Sequence, residues 1–222
     1  MRKRALMGWL AGMPAGFQNE VLARLEHRAL PAGNPVYLIE DEARGIYGLE
    51  DGMVEVRTMT GTDAPNLIYL ARRGWWFGAL EVFTNRPRRF QIETRTDCSF
   101  ALLQASHVRE ICAKDPRYWE SFVQLMCGNY EAMVDAIAMM RHPSPLWRVT
   151  KALLILYNRQ SETVPDVEAT QADIASIANL SPRSAAGALA ELEEAGIIRR
   201  GYRSVVVLDP QRLSDCADSI VR

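Results

Sequence analysis

The side chains with the clearest chemistry in this chain are hydroxyls, an amide and arginines in its last third. They are Thr170, Gln171, Ser181, Arg183, Ser184, Arg199, Arg200 and Arg203. An arginine guanidinium donates paired hydrogen bonds that fit either phosphate oxygens or the O6 and N7 atoms of guanine. Hydroxyl and amide side chains supply further contacts to a phosphate backbone. The set therefore predicts contact with nucleic acid, provided that the local elements present these residues on one surface.

Two short helices joined by a tight turn are predicted between residues 169 and 198. Thr170 and Asp173 have the spacing of a capping box, in which each side chain satisfies a backbone amide at the start of a helix. Asn179 lies where the chain must turn, and Asn is the non-glycine residue that best tolerates left-handed backbone. Ser181-Pro182 then starts a second helix, with Ser as the N-cap and Pro at the first helical position.

The second helix has a small-residue and leucine stripe for burial and an opposite face for contact with DNA. The buried stripe comprises Ala185, Ala188, Leu189 and Leu192, and the DNA face comprises Ser181, Arg183, Ser184 and Gly187. Gly196 is expected to end the helix, and short strands on either side of Arg199, Arg200 and Arg203 then predict a β-hairpin, the wing. An ordinary helical hairpin is the alternative. The caps, the tight turn and the following hairpin favour a winged helix-turn-helix.

The first half of the chain shows short strands separated by turn signals. A helix is expected from Phe17 to Glu26, with Val21, Leu22 and Leu25 inward. The strand segments that follow are VYLIE, GIYGLE, MVEVRT, NLIYLA, WWFGAL, RFQIET and SFALLQ. Their close and even spacing predicts a small antiparallel barrel or sandwich.

A long helix is predicted from Pro116 to Arg141, before the break at His142-Pro143-Ser144-Pro145. Its stripe of mostly apolar residues comprises Phe122, Leu125, Met126, Asn129, Met133, Ala136, Ile137 and Met140. The stripe could pack on the chain's own barrel or pair with a second copy. Pairing is favoured because a helix-turn-helix normally acts as a two-fold dimer on DNA.

Composition sets limits on these predictions. The hydrophobic fraction of 48% and the charged fraction of 24% are ordinary for a globular protein, and no apolar run is long enough to cross a membrane. The net charge is −1, and 9 Lys/Arg stand against 10 Asp/Glu from Ser144 onward. A basic footprint must therefore be local, with Glu191, Glu193 and Glu194 turned away from it. Four scattered cysteines suit buried thiols in a reduced cytoplasm.

This order of elements resembles the CRP/FNR family, the cAMP-receptor-protein-like transcription regulators, over essentially the whole chain. The segments that carry the resemblance are WLAGMPAGFQNEVLARLEHRALPAGNPVYLIEDEARGIYGLEDGMVEV, WWFGALEVFTNRPRRFQIETRTDCSFALL and TQADIASIANLSPRSAAGALAELEEAGII. The resemblance implies an α+β fold. Residues 1–115 would form a cyclic-nucleotide-binding-like β-roll or jelly-roll barrel, 116–142 a dimerisation helix and 146–222 a winged helix-turn-helix. The implied function is homodimeric, sequence-specific DNA binding in the cytoplasm, with an operator and RNA polymerase as partners and no catalysis.

The resemblance also implies a phosphate-binding cassette, which here covers residues 78–90. The implied effector contacts are Gly78, Ala79, Leu80, Arg88 and Arg89, with Met133 on the long helix. Arg88 aligns with the family's phosphate arginine. Ala79 replaces the glutamate that holds a ribose hydroxyl, and Arg89 replaces a serine or threonine. Each lost polar partner costs about 1–3 kcal/mol, so cAMP is disfavoured.

Several alternatives follow from these departures. The barrel either takes another ligand or is filled by Phe90, and the two arginines form either an anion site or a solvated basic loop. A weakly basic C-terminal half also fits a ligand-sensing barrel that acts through protein partners, with vestigial DNA binding. A metal enzyme would need clustered histidine and carboxylate ligands, which His27, His107 and His142 do not supply by their spacing.

Overall fold

The computed structural model describes residues 7–59, 65–158, 166–167, 169–202 and 204–219. The chain forms two compact units, Met1–Ala132 and Met133–Arg222. Among the described residues, no helix has both the length and the apolar character that crossing a membrane requires.

The first unit is built from short antiparallel strands with helices at its ends. A 3₁₀ turn at Gly8–Gly12 and helix α1 (Ala15–Leu22) precede the strands. The strands are β1 (Glu26–Leu30), β2 (Pro35–Tyr37), β3 (Gly45–Asp51), β4 (Met53–Thr58), β5 (Asn66–Arg72), β6 (Trp76–Phe77), β7 (Gln91–Thr94) and β8 (Cys98–Gln104). Helix α2 (Ala79–Thr84) lies between β6 and β7, and α3 (Ala105–Lys114) follows β8. The strands form two four-stranded sheets with the orders β1-β8-β3-β6 and β2-β7-β4-β5.

Two apolar clusters hold this unit together. One is formed by the terminal helices with one face of the β3 sheet, and it includes Leu10, Phe17, Ile46, Trp76, Ile111 and Phe122. The other fills the interior between the sheets and is rich in aromatic rings, with Tyr37, Tyr47, Phe77 and Phe100 at its centre. The sequence pattern therefore predicted the barrel correctly.

A long helix, α4, runs from Tyr118 to Arg141. Its first turns are anchored in the first unit because Phe122 and Leu125 belong to the helix-rich core cluster. Asn129 Nδ2 also donates a 3.1 Å hydrogen bond to the Trp76 carbonyl. The predicted stripe was therefore wrong at these positions, which pack on the chain's own barrel.

The second unit consists of helices and a small sheet. After α4 come α5 (Pro145–Asn158), β9 (Asp166–Val167), α6 (Gln171–Ile177), α7 (Pro182–Glu194), β10 (Ile198–Arg200), β11 (Val205–Val207) and α8 (Pro210–Ser219). Helix α5 packs against α6, α7 and α8. The Trp147 indole at the start of α5 donates a 2.7 Å bond to the Ala217 carbonyl, which fixes the terminal helix. The three strands lie in the order β10-β11-β9.

In the first unit, the predicted end of one helix was wrong, two predicted strands are shorter than expected, and one helix was missed. The first helix ends at Leu22, and Glu26 begins β1 instead of ending a helix. The VYLIE and WWFGAL segments contain only the short strands β2 and β6. Helix α3 was not predicted, although Val108, Ile111 and Cys112 are buried along one side of it.

Candidate nucleic-acid interface and effector cassette

The helix-turn-helix begins with a complete capping box. Thr170 Oγ1 accepts a 3.1 Å bond from the Asp173 amide, and the Asp173 carboxylate accepts a 2.7 Å bond from the Thr170 amide. The Thr170 hydroxyl also donates to the same carboxylate at 2.6 Å. Its hydrogen is therefore already used inside the protein. Gln171 is exposed at the next position, where its amide is free to reach a phosphate.

The turn between the two helices depends on Asn179 and on an arginine from α5. Asn179 has a φ of 50°, the left-handed conformation that the sequence predicted for it. Its carbonyl accepts a 2.5 Å bond from Arg148 Nη2, and the next amide, that of Leu180, bonds to Ala175 at 2.8 Å. These bonds fix the angle at which the second helix leaves the turn.

Helix α7 presents an open face at its N-terminal half. Ser181 caps the helix by accepting a 3.1 Å bond from the Ser184 amide, and Pro182 occupies the first turn as predicted. Arg183 and Gly187 are exposed, and a Cβ built on Gly187 would meet no atom within 4 Å. The buried stripe of α7 is the predicted one, with Ala185, Ala188, Leu189 and Leu192.

A groove of about 510 Å³ runs along this face of α7. It is lined by Ser144, Pro145, Leu146, Arg183, Ser184, Gly187, Ala188 and Glu191. The start of α5 therefore forms one wall and the exposed face of α7 the other. Arg183 is the only positively charged side chain among the lining residues, so it dominates the attraction of anions there.

The wing is present, but its arginines differ in what they can contact. Arg199 is exposed, whereas Arg200 is held by Glu193 from the end of α7. Glu193 accepts a 2.7 Å bond from the Arg200 amide and a 2.6 Å bond from its Nε atom. The same pair holds the pKa of the Glu193 carboxyl below its usual value. The expectation that Glu193 turns away from the basic residues was therefore wrong.

The tip of the wing is closed by a backbone bond from the Gly201 amide to the Ser204 carbonyl, at 2.9 Å. Tyr202 at this tip is 94% exposed. Arg203, the third predicted phosphate contact, lies outside the described residues. Gly196, at the end of α7, has a φ of 68° and ends the helix as predicted.

An exposed apolar seam runs along α4. Its residues recur at alternating steps of four and three positions, and they are Trp119, Val123, Met126, Tyr130, Met133, Ile137 and Met140. All except Met126, which is partly buried, are exposed large hydrophobic side chains. This spacing is the repeat with which helices pair in a coiled coil. Met133, predicted as an effector contact, is half exposed on the seam.

The cassette surrounds one buried arginine. Arg88 is 1% exposed, and its Nη1 atom donates to the Gly78 carbonyl at 2.8 Å and to Glu81 Oε2 at 3.3 Å. Its Nη2 atom donates to the Gly45 carbonyl at 2.6 Å. The guanidinium carbon lies 4.3 Å from the centre of the Tyr37 ring. Arg88 is therefore not part of a solvated loop, and its anionic partner is a carboxylate of the chain itself.

The other cassette residues take different places. Gly78 has a φ of 84°, which side chains with a Cβ rarely adopt, and a Cβ there would also lie 2.7 Å from Arg88 Nη1 and 3.2 Å from the Gly45 carbonyl oxygen, so glycine is strongly favoured. Ala79 is buried, Leu80 is exposed and Arg89 is exposed. Phe90 is partly buried against the aromatic interior cluster.

Sequence reasoning missed the residues that complete this cassette, which are Glu81, Tyr37 and Gly45. The position of Glu81 in the first turn of a helix that follows Gly78 was the available signal. Nothing local pointed to Tyr37 or to the Gly45 carbonyl, which reach Arg88 from β2 and β3. Among the described residues, no three histidine, cysteine, aspartate or glutamate side chains are grouped as metal ligands would be.

Comparison with known proteins agrees with this architecture. Residues 27–115 match the model of the cyclic nucleotide-binding domain, and residues 148–216 match that of the Crp-like helix-turn-helix domain. A CRP-like cAMP-activated global transcriptional regulator of Mycobacterium tuberculosis is 23% identical over 213 residues, which cover 92% of this chain and 95% of the relative.

Solved structures show the same fold at low sequence identity. FixK2 from Bradyrhizobium japonicum has a TM-score of 0.76 and 19% identity, covering 86% of this chain and 96% of FixK2. The c-di-GMP responsive global regulator CLP of Xanthomonas campestris has a TM-score of 0.69 and 18% identity, covering 87% and 99%. With both domain models matched in this order and a relative aligned along nearly the whole length, the chain belongs to the CRP/FNR family of transcription regulators.

Proposed function

We propose that this protein is a homodimer that binds a pseudo-palindromic DNA operator and regulates transcription there. The observation that carries the proposal is the α7 face, where a capped helix presents Arg183 beside an open groove. Arg183 has no ion pair or hydrogen bond among the described residues, so its guanidinium is available for a base edge. Gly187, one turn further, leaves the backbone free to come close to the groove floor. Arg183 would read guanine, and Gln171, Ser181, Ser184 and Arg199 would contact phosphates.

The seam on α4 supports the dimer. Its exposed side chains, from Trp119 to Met140, span more than five helical turns and stay exposed in the described part of the chain, although the Trp119 ring also contacts the Phe83 ring at 5.3 Å. Pairing two such seams would bury them and place the two copies of α7 about a two-fold axis. Two recognition helices related in this way read half-sites about one helical turn of DNA apart.

Two further parts of the proposal rest on family membership. RNA polymerase would be a protein partner at the promoter, and the cytoplasm would be the place of action. Residues 1–115 would act as the barrel domain, 116–142 as the dimerisation helix and 146–222 as the DNA-binding domain. Regulation is the whole activity that we propose, and we assign no catalytic residue.

A second function has one observation in its favour. Glu193 neutralises Arg200, and Glu191 lies on the DNA-facing groove, so the basic surface is small. A barrel that acts through protein partners, with weak DNA binding, would fit this charge pattern.

Salt-dependent binding of genomic DNA fragments by the full-length protein separates the two functions. The DNA-binding proposal expects specific fragments to be retained and their affinity to fall steeply with salt concentration, because phosphate contacts release counterions. Equal and weak retention of all fragments at every salt concentration would favour the partner-binding function.

A further inference from the structure

Both terminal nitrogens of the Arg88 guanidinium have hydrogen-bond partners inside the protein. The Glu81 carboxylate is 4% exposed and lies 3.3 Å from Nη1, so the positive charge already has a buried counter-ion. The carbonyls of Gly45 and Gly78 take further guanidinium hydrogens at 2.6 and 2.8 Å. Of the three guanidinium nitrogens of Arg88, Nε is buried without a hydrogen-bond partner, whereas Nη1 and Nη2 both have partners.

A cyclic nucleotide, the ligand that the domain type implies, does not fit this arrangement. A phosphodiester needs a pair of guanidinium donors on one edge. The Nη1 atom is divided between a carbonyl and a carboxylate, and a phosphate placed there would set its negative charge directly beside that of Glu81. Two anions in a buried site repel each other strongly because the surroundings screen them poorly.

The interior next to the arginine is also occupied. The Tyr37 ring covers one face of the guanidinium at 4.3 Å, and it lies 5.8 Å from the Tyr47 ring. The Tyr47 and Phe77 rings stack at 5.5 Å, and Trp75 stacks on Phe77 at 4.6 Å. A purine and its ribose would have to displace part of this aromatic set, which also receives Phe90.

We propose that Glu81 is an internal counter-ion that takes the place of a ligand's phosphate and closes the cassette. The wild-type protein would then bind its operator without a cyclic nucleotide. This second statement rests on the proposed DNA-binding function, whereas the first concerns the barrel alone.

Binding titrations on the full-length protein test the first statement directly. Isothermal titration calorimetry of the wild type with cAMP and with cGMP, up to millimolar concentrations, is expected to show no saturable heat. Saturable binding of either nucleotide by the wild type would overturn the proposal.

Removing the carboxylate should create an anion site. In Glu81→Ala, inorganic phosphate would pair with the charge of Arg88, which has lost its counter-ion, and raise the Tm by roughly 3–6 °C at about tenfold its Kd. The wild type should show no such concentration-dependent rise. The double variant Glu81→Ala/Arg88→Met has the same missing carboxylate but no cation, and it should not respond to phosphate.

A second Glu81 variant guards against a failure of the alanine variant to fold. Glu81→Gln removes the charge and keeps most of the volume, so it replaces the alanine variant if that one does not fold, and it should respond in the same direction. A folded Glu81 variant with no response to phosphate, or with a response that survives loss of Arg88, would overturn the assignment of Glu81.

The second statement, that the operator is bound without a cyclic nucleotide, is tested with the DNA fragments that the wild-type protein retains. The affinity of the protein for these fragments should not change when cAMP or cGMP is added. A change in affinity would overturn ligand-independent binding. If no DNA is retained specifically, the proposed function fails, and the nucleotide and phosphate titrations still decide the role of Glu81.

Discussion

Substitution of Arg183 by alanine should remove sequence preference while leaving the fold intact. The side chain is exposed, and it makes no ion pair or hydrogen bond with the described residues, so its loss leaves no buried group unpaired. We therefore expect a change in the free energy of unfolding within about 0.5 kcal/mol. The effect on DNA binding should be much larger.

The size of that effect follows from the proposed contact. A bidentate arginine–guanine pair contributes about 1–3 kcal/mol of discrimination against a wrong base. A two-fold dimer carries the residue twice, so the operator complex should lose about 2–6 kcal/mol, or from about 30-fold to about 10⁴-fold in affinity. Affinity for a scrambled duplex, held by phosphate contacts, should change far less.

Arg199→Ala provides the matched control. Arg199 is also exposed, but it lies on the wing, where we expect it to contact phosphate. Its loss should weaken binding to operator and scrambled DNA alike and reduce the salt slope by about 0.9 for each lost contact. Fluorescence anisotropy with both duplexes over a range of salt concentrations measures these quantities together. The reasoning is refuted if Arg183→Ala keeps the ratio of operator to scrambled affinity while Tm is unchanged.

Three further changes test other parts of the structure. Ile137→Glu places a charge on the seam and should give monomers in sedimentation velocity. The control Gln124→Glu changes an exposed residue off the seam and should stay dimeric. A dimeric Ile137→Glu variant would exclude the seam as the interface. Thr170→Ala removes the capping bonds to Asp173 and should destabilise the protein by about 1 kcal/mol, or roughly 2–4 °C in Tm, and an unchanged Tm would show that the cap is dispensable. Glu193→Gln frees the Arg200 guanidinium, so the salt slope of DNA binding should steepen, and an unchanged slope would mean that Arg200 makes no phosphate contact.

The Glu193 pair also predicts a pH dependence. In the folded state, the pKa of the Glu193 carboxyl lies below its usual value because Arg200 stabilises the carboxylate. The pair therefore stabilises the fold at pH values above the ordinary carboxyl pKa. This contribution is lost as the pH falls through the lowered pKa of the folded state. Wild type and Glu193→Gln should therefore converge in Tm as the solution is acidified. A difference that grows on acidification would contradict this sign.

The helix-turn-helix could be predicted from sequence because its determinants are local. The capping box joins Thr170 to a residue three positions away, and Asn179 adopts its left-handed conformation through its own preference. Gly196 likewise marks the end of a helix without help from distant residues. Each of these features depends on residues only a few positions apart, so it can be predicted from the sequence without knowledge of the tertiary structure.

The cassette could be located but not interpreted from sequence because its contacts are not local. The Gly45 carbonyl that binds Arg88 is 43 residues away along the chain, and Tyr37 comes from another strand. Contacts between residues that are close along the chain can also be mispredicted when the chain reverses direction between them. Glu193 reaches Arg200 because the turn at Gly196 brings β10 back beside the end of α7.

The errors in the first unit have the same origin. Strand β1 has the sequence EHRAL and a mostly exposed face, so it lacks the apolar alternation that indicates a strand. It becomes a strand because it pairs along its full length with β8, from Glu26 opposite Leu102 to Leu30 opposite Cys98. Tertiary pairing here overrides the local pattern.

Selection of bound sequences from a random duplex library by the full-length protein tests the proposed operator recognition most directly. We predict an enriched motif with two-fold symmetry, a guanine at an equivalent position in each half, and half-sites about one helical turn apart. The motif should appear without added cyclic nucleotide. The absence of an enriched motif, or a motif without two-fold symmetry, would contradict a dimeric reader of DNA.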